Sequence, residues 1–191
     1  MSAKYKNIYQ LLRDACLCFV ILFGFLSAQP ASAQSAPDYL RAILPDARLQ
    51  GSGTFTWFGL KIYTAELWSE KSGVIPDQLT SNSFALDLHY ARTLNGEKIA
   101  VASIDEIKKL RIGNPAKHAA WLTSMKSLFP DVEKGTHLTG IYVPGKATQF
   151  FRDGKLIGEI EDPEFGPAFF AIWLDKKTSE PKLRLSLLGI K

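Results

Sequence analysis

The stretch whose reading decides the fold is Gly51 to Glu70, GSGTFTWFGLKIYTAELWSE. It reads as a strand, a tight bend at Phe58-Gly59, and a second, longer strand rich in β-branched and aromatic residues. Leu60 to Ser69 is the longest strand candidate in the chain. One of its faces carries Leu60, Ile62, Thr64, Glu66 and Trp68, and the other Lys61, Tyr63, Ala65, Leu67 and Ser69. Large apolar groups on both faces predict a strand covered on both sides, by helices or by a ligand cavity. Gly51 and Gly53 permit close backbone approach where the first strand begins.

Working outward, Phe84 to Tyr90 alternates cleanly, with Phe84, Leu86, Leu88 and Tyr90 opposite Ala85, Asp87 and His89. That pattern predicts a half-buried antiparallel strand. The period then changes. Ala100, Ile104, Ile107 and Leu110 recur at helical spacing, with Asp105, Glu106, Lys108 and Lys109 on the outer side. Gly113 is a stop, and Asn114-Pro115 restarts a helix as N-cap and N1, with Trp121, Leu122, Met125, Leu128 and Phe129 as its stripe. Strands return at His137 to Val143, Ala147 to Arg152 and Lys155 to Ile160, the last two joined by the hairpin turn Asp153-Gly154. Asp162-Pro163-Glu164 predicts another helix start, running through Phe165, Phe169, Phe170 and Trp173, and Glu180 to Leu188 a final amphipathic helix. Upstream, Ser35 to Gln50 reads as a leading segment paired loosely with the sheet edge. Strands, inserted helices, a hairpin and closing helices make an α+β order.

The first 33 residues read as a secretory signal. Lys4, Lys6 and Arg13 form a basic start, Ala15 to Ala28 an apolar run of 14 residues, and Ala31-Ser32-Ala33 a cleavage site. The run is shorter than the roughly 18 residues a permanent span needs. Cleavage leaves residues 34–191 as one domain of 158 residues, large enough for a real core. Both cysteines, Cys16 and Cys18, depart with the signal, so packing rather than disulfides must hold the mature chain. Localisation is expected to be periplasmic or secreted, with membrane contact only through transient targeting.

Several function classes are disfavoured. The net charge of +4 falls to +2 without the signal, and no basic block resembles a nucleic-acid footprint. His89, His118 and His137 lie on three predicted elements with no ligand spacing, so no metal is expected. Gly51-Ser52-Gly53 lacks the spacing of a nucleophile elbow, and no phosphate-cradling glycine loop occurs.

Three stretches together carry a family resemblance: Gly51 to Glu70 with its KIYTAELW core, LDLHYARTLNGEKIAVA, and FGPAFFAIWLDKKTSEPKLRLSLLG. On these the chain resembles the chalcone isomerase-like family, in particular its small exported bacterial members. The resemblance implies an open-faced β-sandwich, an antiparallel sheet with helices on one side and a cleft between. It also implies a cofactor-free fold whose plant enzymes close chalcones into flavanones and whose plastid members bind fatty acids. Carried over by residue, the threonine of the enzymes falls on Thr64. Their arginine falls on Ser52, their tyrosine on Ile99 and their ligand-binding asparagine on Glu106. Isoleucine can neither donate a hydrogen bond nor orient a water.

The expected function is therefore non-catalytic binding of a small amphipathic molecule, a fatty acid or a phenolic, with no cofactor. A cofactor-independent isomerase and an envelope interaction protein are the alternatives. Arg92, at a strand-to-helix junction, is a candidate to hold a ligand carboxylate bidentately, against pairing with Glu97 or a helix end. Tyr63, Thr64 and Tyr142 are candidate hydroxyl contacts, against core tyrosines with satisfied tips. Phe165, Phe169, Phe170 and Trp173 are either cavity lining or ordinary core.

Overall fold

The structure, a computed structural model, describes residues 35–75 and 78–190. The expected signal, residues 1–33, lies outside the described residues. Among those described, six strands form one antiparallel sheet in chain order: β1 (Arg48–Trp57), β2 (Leu60–Ser69), β3 (Phe84–Tyr90), β4 (His137–Tyr142), β5 (Thr148–Arg152) and β6 (Lys155–Ile160). A short α1 (Asp38–Ile43) precedes the sheet. Two helices, α2 (Gly96–Lys109) and α3 (Pro115–Leu128), fill the β3–β4 connection, and α4 (Phe165–Leu174) and α5 (Pro181–Leu187) follow β6. This is the expected α+β arrangement.

Strands β2, β3 and β6 occupy the residues that alternation and turn chemistry predict. Their helix-facing side chains, among them Ala65, Leu67, Leu86, Leu88 and Ile160, join Ile104, Ile107, Trp121, Met125 and Phe170 in the main core. Each large side chain so buried contributes about 1.5–3 kcal/mol. Close approach explains the glycines of β1. A Cβ on Gly51 would stand 2.2 Å from the Ser186 carbonyl oxygen, so α5 rests directly on strand backbone. The side chains at the odd-numbered positions Gly51 and Gly53 would therefore meet the helix layer, and the even positions point away.

The leading segment differs from its expected loose pairing. It forms α1, and β1 begins earlier, at Arg48, bridging back to Ser35. Leu40 and Leu44 of this segment pack with Trp68, Ala85, Ile141 and Phe151 in a second cluster on the opposite sheet face. Hence β3 is not half-buried: Ala85 and Asp87 are buried too, and only His89 is exposed.

The capping signals hold for α3, where the Asn114 side chain accepts from the Lys117 N–H at 3.0 Å with Pro115 at the helix start. They do not hold for α4. Asp162 instead accepts from the Glu164 N–H at 2.9 Å in a local turn, and the helix starts at Phe165. The other oxygen of Asp162 takes the Trp121 indole N–H at 2.8 Å and Lys117 at 3.3 Å, tying α3 to the start of α4.

Candidate functional site

A cavity of about 420 Å³ lies between the helix-facing side of β1–β4 and helices α2 and α4. Its volume falls within the roughly 300–1,000 Å³ of small-molecule sites. Tyr63, Leu88, Tyr90 and Leu138 form the floor, while Ile99, Ala102 and Ser103 of α2 form one wall. Phe169, Ile172 and Trp173 of α4 form another. The aromatic helix therefore divides its work: Phe169 and Trp173 line the cavity, and Phe165 and Phe170 are fully buried core. Lys98, Glu106, Lys109, Ser179 and Glu180 make a polar rim.

Two phenols supply the polar groups within the apolar floor. The Trp173 indole N–H donates to the Tyr63 hydroxyl at 3.0 Å, leaving the phenol proton free to donate onward. The Tyr63 and Tyr90 rings meet edge to face, 5.7 Å apart. Burial pushes Tyr63 far above the ordinary tyrosine range, with the Trp173 hydrogen bond opposing weakly. Burial does the same to Tyr90, aided by Tyr63 and Asp87. Both are neutral donors at any physiological pH. Tyr90 is only 3% exposed, and its hydroxyl has no hydrogen-bond partner among the described residues. No sealed side-chain polar atom among those residues goes unpaired, so the Tyr90 hydroxyl opens onto the cavity that it lines.

The rim is partly locked. Glu106 accepts from Lys109 Nζ at 2.6 Å on one oxygen and from Ser179 Oγ at 2.6 Å on the other, joining α2 to the α4–α5 loop. Burial alone would raise its carboxyl, but these hydrogen bonds and the Lys109 charge outweigh it and hold the group below the usual range. Glu106 and Lys109, expected on the outer side of α2, thus face the cavity rim. Lys98 has no ion-pair partner among the described residues.

Of the expected ligand contacts, the structure brings Tyr63 to the cavity and leaves three elsewhere. Thr64 lies across from Thr54 and His89, on the sheet face away from the cavity, because its neighbour Tyr63 takes the inward position. Ser52, paired with Glu66, shares that outer face. Arg92 is not among the cavity lining; its Nε donates to the Lys61 carbonyl at 2.9 Å. Tyr142 is core, packed against Phe84 at 5.4 Å and Phe170 at 6.3 Å. Ile99 and Glu106, carried over from the resemblance, do line the cavity. The alternation of β3 placed Tyr90 on the helix-facing side, but its free hydroxyl depends on what α2 and α4 leave unfilled.

The outer face holds a polar chain that spacing did not reveal. Tyr39 donates to Thr139 Oγ1 at 2.9 Å, and Thr139 donates to Asp87 Oδ1 at 2.6 Å. His137 Nδ1 lies 2.6 Å from Asp87 Oδ2, and the His137 and His89 rings stack with centroids 4.3 Å apart. Burial, with the Asp87 and Glu66 charges behind it, pushes Tyr39 up to about 12 despite its bond to Thr139. Two of the three histidines therefore meet, but no group of three metal-ligating side chains occurs among the described residues. His118 Nε2 contacts the Ile112 carbonyl at 2.7 Å and is packed locally.

Comparison with known proteins agrees with this architecture. An uncharacterized protein of Haemophilus influenzae is 30% identical over 139 residues, covering 73% of this chain and 66% of that relative. The crystal structure of an Arabidopsis thaliana fatty-acid binding protein superposes with a TM-score of 0.61 at 14% identity. That alignment covers 84% of this chain and 90% of the plant protein, a likeness of fold. The family described as chalcone isomerase-like matches residues 32–189, nearly the whole of the expected mature chain. The chain belongs to the chalcone isomerase-like family.

Proposed function

We propose that this protein is an exported, non-catalytic carrier of a small amphipathic molecule, with fatty acids as the ligand class. The observation that carries the reading is the apolar cavity with one buried, unpartnered phenol, Tyr90, on its floor. Apolar burial supplies affinity at about 25 cal/mol per Å². Tyr90 and the free proton of Tyr63 orient a carboxyl or hydroxyl group, and Lys98 offers a cation at the rim. The fatty-acid binding name of the plant neighbour supports the ligand class. The basic, apolar and small-residue order of residues 1–33 supports export to the periplasm.

The isomerase alternative has less behind it. Ile99, at the position of the enzymes' tyrosine, lines the cavity with no proton to give, and Ser52, at the arginine position, faces away. Solvent extraction of protein purified from its native compartment, followed by mass spectrometry, tests the proposal. A co-purifying fatty acid is expected, with Tyr90→Phe weakening its binding about fivefold. An empty protein that binds no fatty acid tighter than micromolar overturns the reading.

A further inference from the structure

The β1–β2 turn places a large aromatic residue where the backbone asks for a small polar one. Phe58 has φ 46° and Gly59 φ 75°, the left-handed pair of a two-residue hairpin that Asn-Gly or Asp-Gly ordinarily supplies. Nothing among the described residues compensates. Phe58 is 89% exposed, its ring meeting among the described residues only Trp57, edge-on at 5.0 Å, and Trp57 and Leu60 are themselves 59% and 52% exposed. A strained position that buries nothing within its own chain is selected for a surface outside it.

We infer that the Trp57–Leu60 tip is a wedge that inserts into the headgroup–acyl boundary of an anionic lipid surface and seats the cavity mouth against it. Size favours lipid over protein. A stable protein interface engages about 20–30 residues a side, whereas a few aromatic and aliphatic groups suffice to enter the outer 5–10 Å of a bilayer. Tryptophan and phenylalanine suit that depth.

Charge agrees. From Arg48 to Ala65 the chain has no acidic residue, Lys61 follows the tip directly, and Arg92 is held beside it through the Lys61 carbonyl. Lys98 adds a further cation at the rim. The acidic groups of the rim are Glu106 and Glu180, and both oxygens of Glu106 are already taken by Lys109 and Ser179. The tip is also continuous with the cavity, because Trp57 and Phe55 line it. Docking therefore brings a lipid surface to the mouth whatever the cavity holds, so this inference and the proposed ligand class stand or fall separately.

Quenching of tryptophan emission by brominated phosphatidylglycerol vesicles tests the wedge in the full chain. Trp68 and Trp121 are sealed in the core and Trp173 lines the cavity, so the part of the quenching that Trp57→Phe removes reports Trp57, and attachment through another part of the chain leaves that part absent. Strong quenching is expected at low salt, weaker with brominated phosphatidylcholine and abolished in Trp57→Phe. Phe58→Asn should lower partitioning about tenfold through lost apolar burial while leaving Tm unchanged or raised, since asparagine tolerates the left-handed φ. Unquenched Trp57 emission, or equal partitioning of wild type and Phe58→Asn, overturns the inference. So does tip-dependent self-association in analytical ultracentrifugation, which would assign the patch to a second copy of the chain.

Discussion

The β1–β2 and β5–β6 hairpins turn through nearly the same angles with opposite chemistry. Phe58-Gly59 adopt φ 46° and 75°, and Asp153-Gly154 adopt φ 49° and 77°. Asp153 suits its turn and is also employed there: it accepts from the His137 N–H at 2.9 Å and lies 3.5 Å from Arg152. Phe58 makes no such bond. The second hairpin folds back on the molecule, with the Tyr39 ring close beside Gly154, whereas the first projects beyond it. Where a turn packs on its own chain, its residues follow the turn's needs; where it projects, another demand overrides them.

The largest expected effect that tests this contrast comes from the two turn glycines. Gly59→Ala and Gly154→Ala both force a Cβ into a left-handed conformation, at about 1–2 kcal/mol. At Gly154 that Cβ would also stand 3.1 Å from Tyr39 Cδ1, while at Gly59 nothing lies within 4 Å. Gly154→Ala should therefore lose about 1 kcal/mol more than Gly59→Ala in denaturant unfolding. Equal losses would mean that the second hairpin is no more tied to the chain than the first.

A reciprocal exchange of the first turn residues is the next test. Asp153→Phe gives up the bond to His137 and takes on the strain that Phe58 already carries, and should cost about 1–2 kcal/mol. Phe58→Asp should gain about 0.5 kcal/mol or more, because it relieves strain and exposes no new apolar surface. If both exchanges destabilise, Phe58 contributes a fold contact that its exposure does not reveal.

Much of the fold was legible because its determinants are local. β-Branched and aromatic enrichment in Leu60 to Ser69, alternation in Phe84 to Tyr90 and turn chemistry at Asp153-Gly154 mark strands and a hairpin without reference to distant residues. The cover on the outer face was legible only at β2, whose two apolar faces call for it; that α1 supplies this cover was not, because Leu40 and Leu44 meet Trp68, Ala85 and Phe151 only across the sheet. The site was legible only in part. Side-chain parity separates Tyr63, which lines the cavity, from Thr64, the position that the resemblance picked out, which faces away. Tyr90 was visible as a residue of the apolar face, but its free hydroxyl is defined by the space that Phe169, Trp173 and Ile99 leave open.

The smallest effect concerns what Asp153 does beyond its turn. His137, whose N–H it accepts, is raised above the usual histidine value first by its hydrogen bond to Asp87, with burial opposing and the charges of Asp87, Asp153 and Glu66 adding to it. A folded-state pKa above the unfolded one means that the stabilisation is complete below about pH 6.5 and is lost as pH rises through the raised value. The His137 side chain is 43% exposed, so solvent screening holds the effect under about 1 kcal/mol. Unfolding free energy should decline as pH rises above the ordinary histidine value, and His137→Gln should flatten that decline. Asp153→Asn should reduce it by removing one of the charges that favour the imidazolium, whereas Phe58→Asn should leave it unchanged. A slope that survives His137→Gln would place the titration elsewhere. A slope that responds to Phe58→Asn would show that the projecting hairpin is coupled to the sheet's outer face after all.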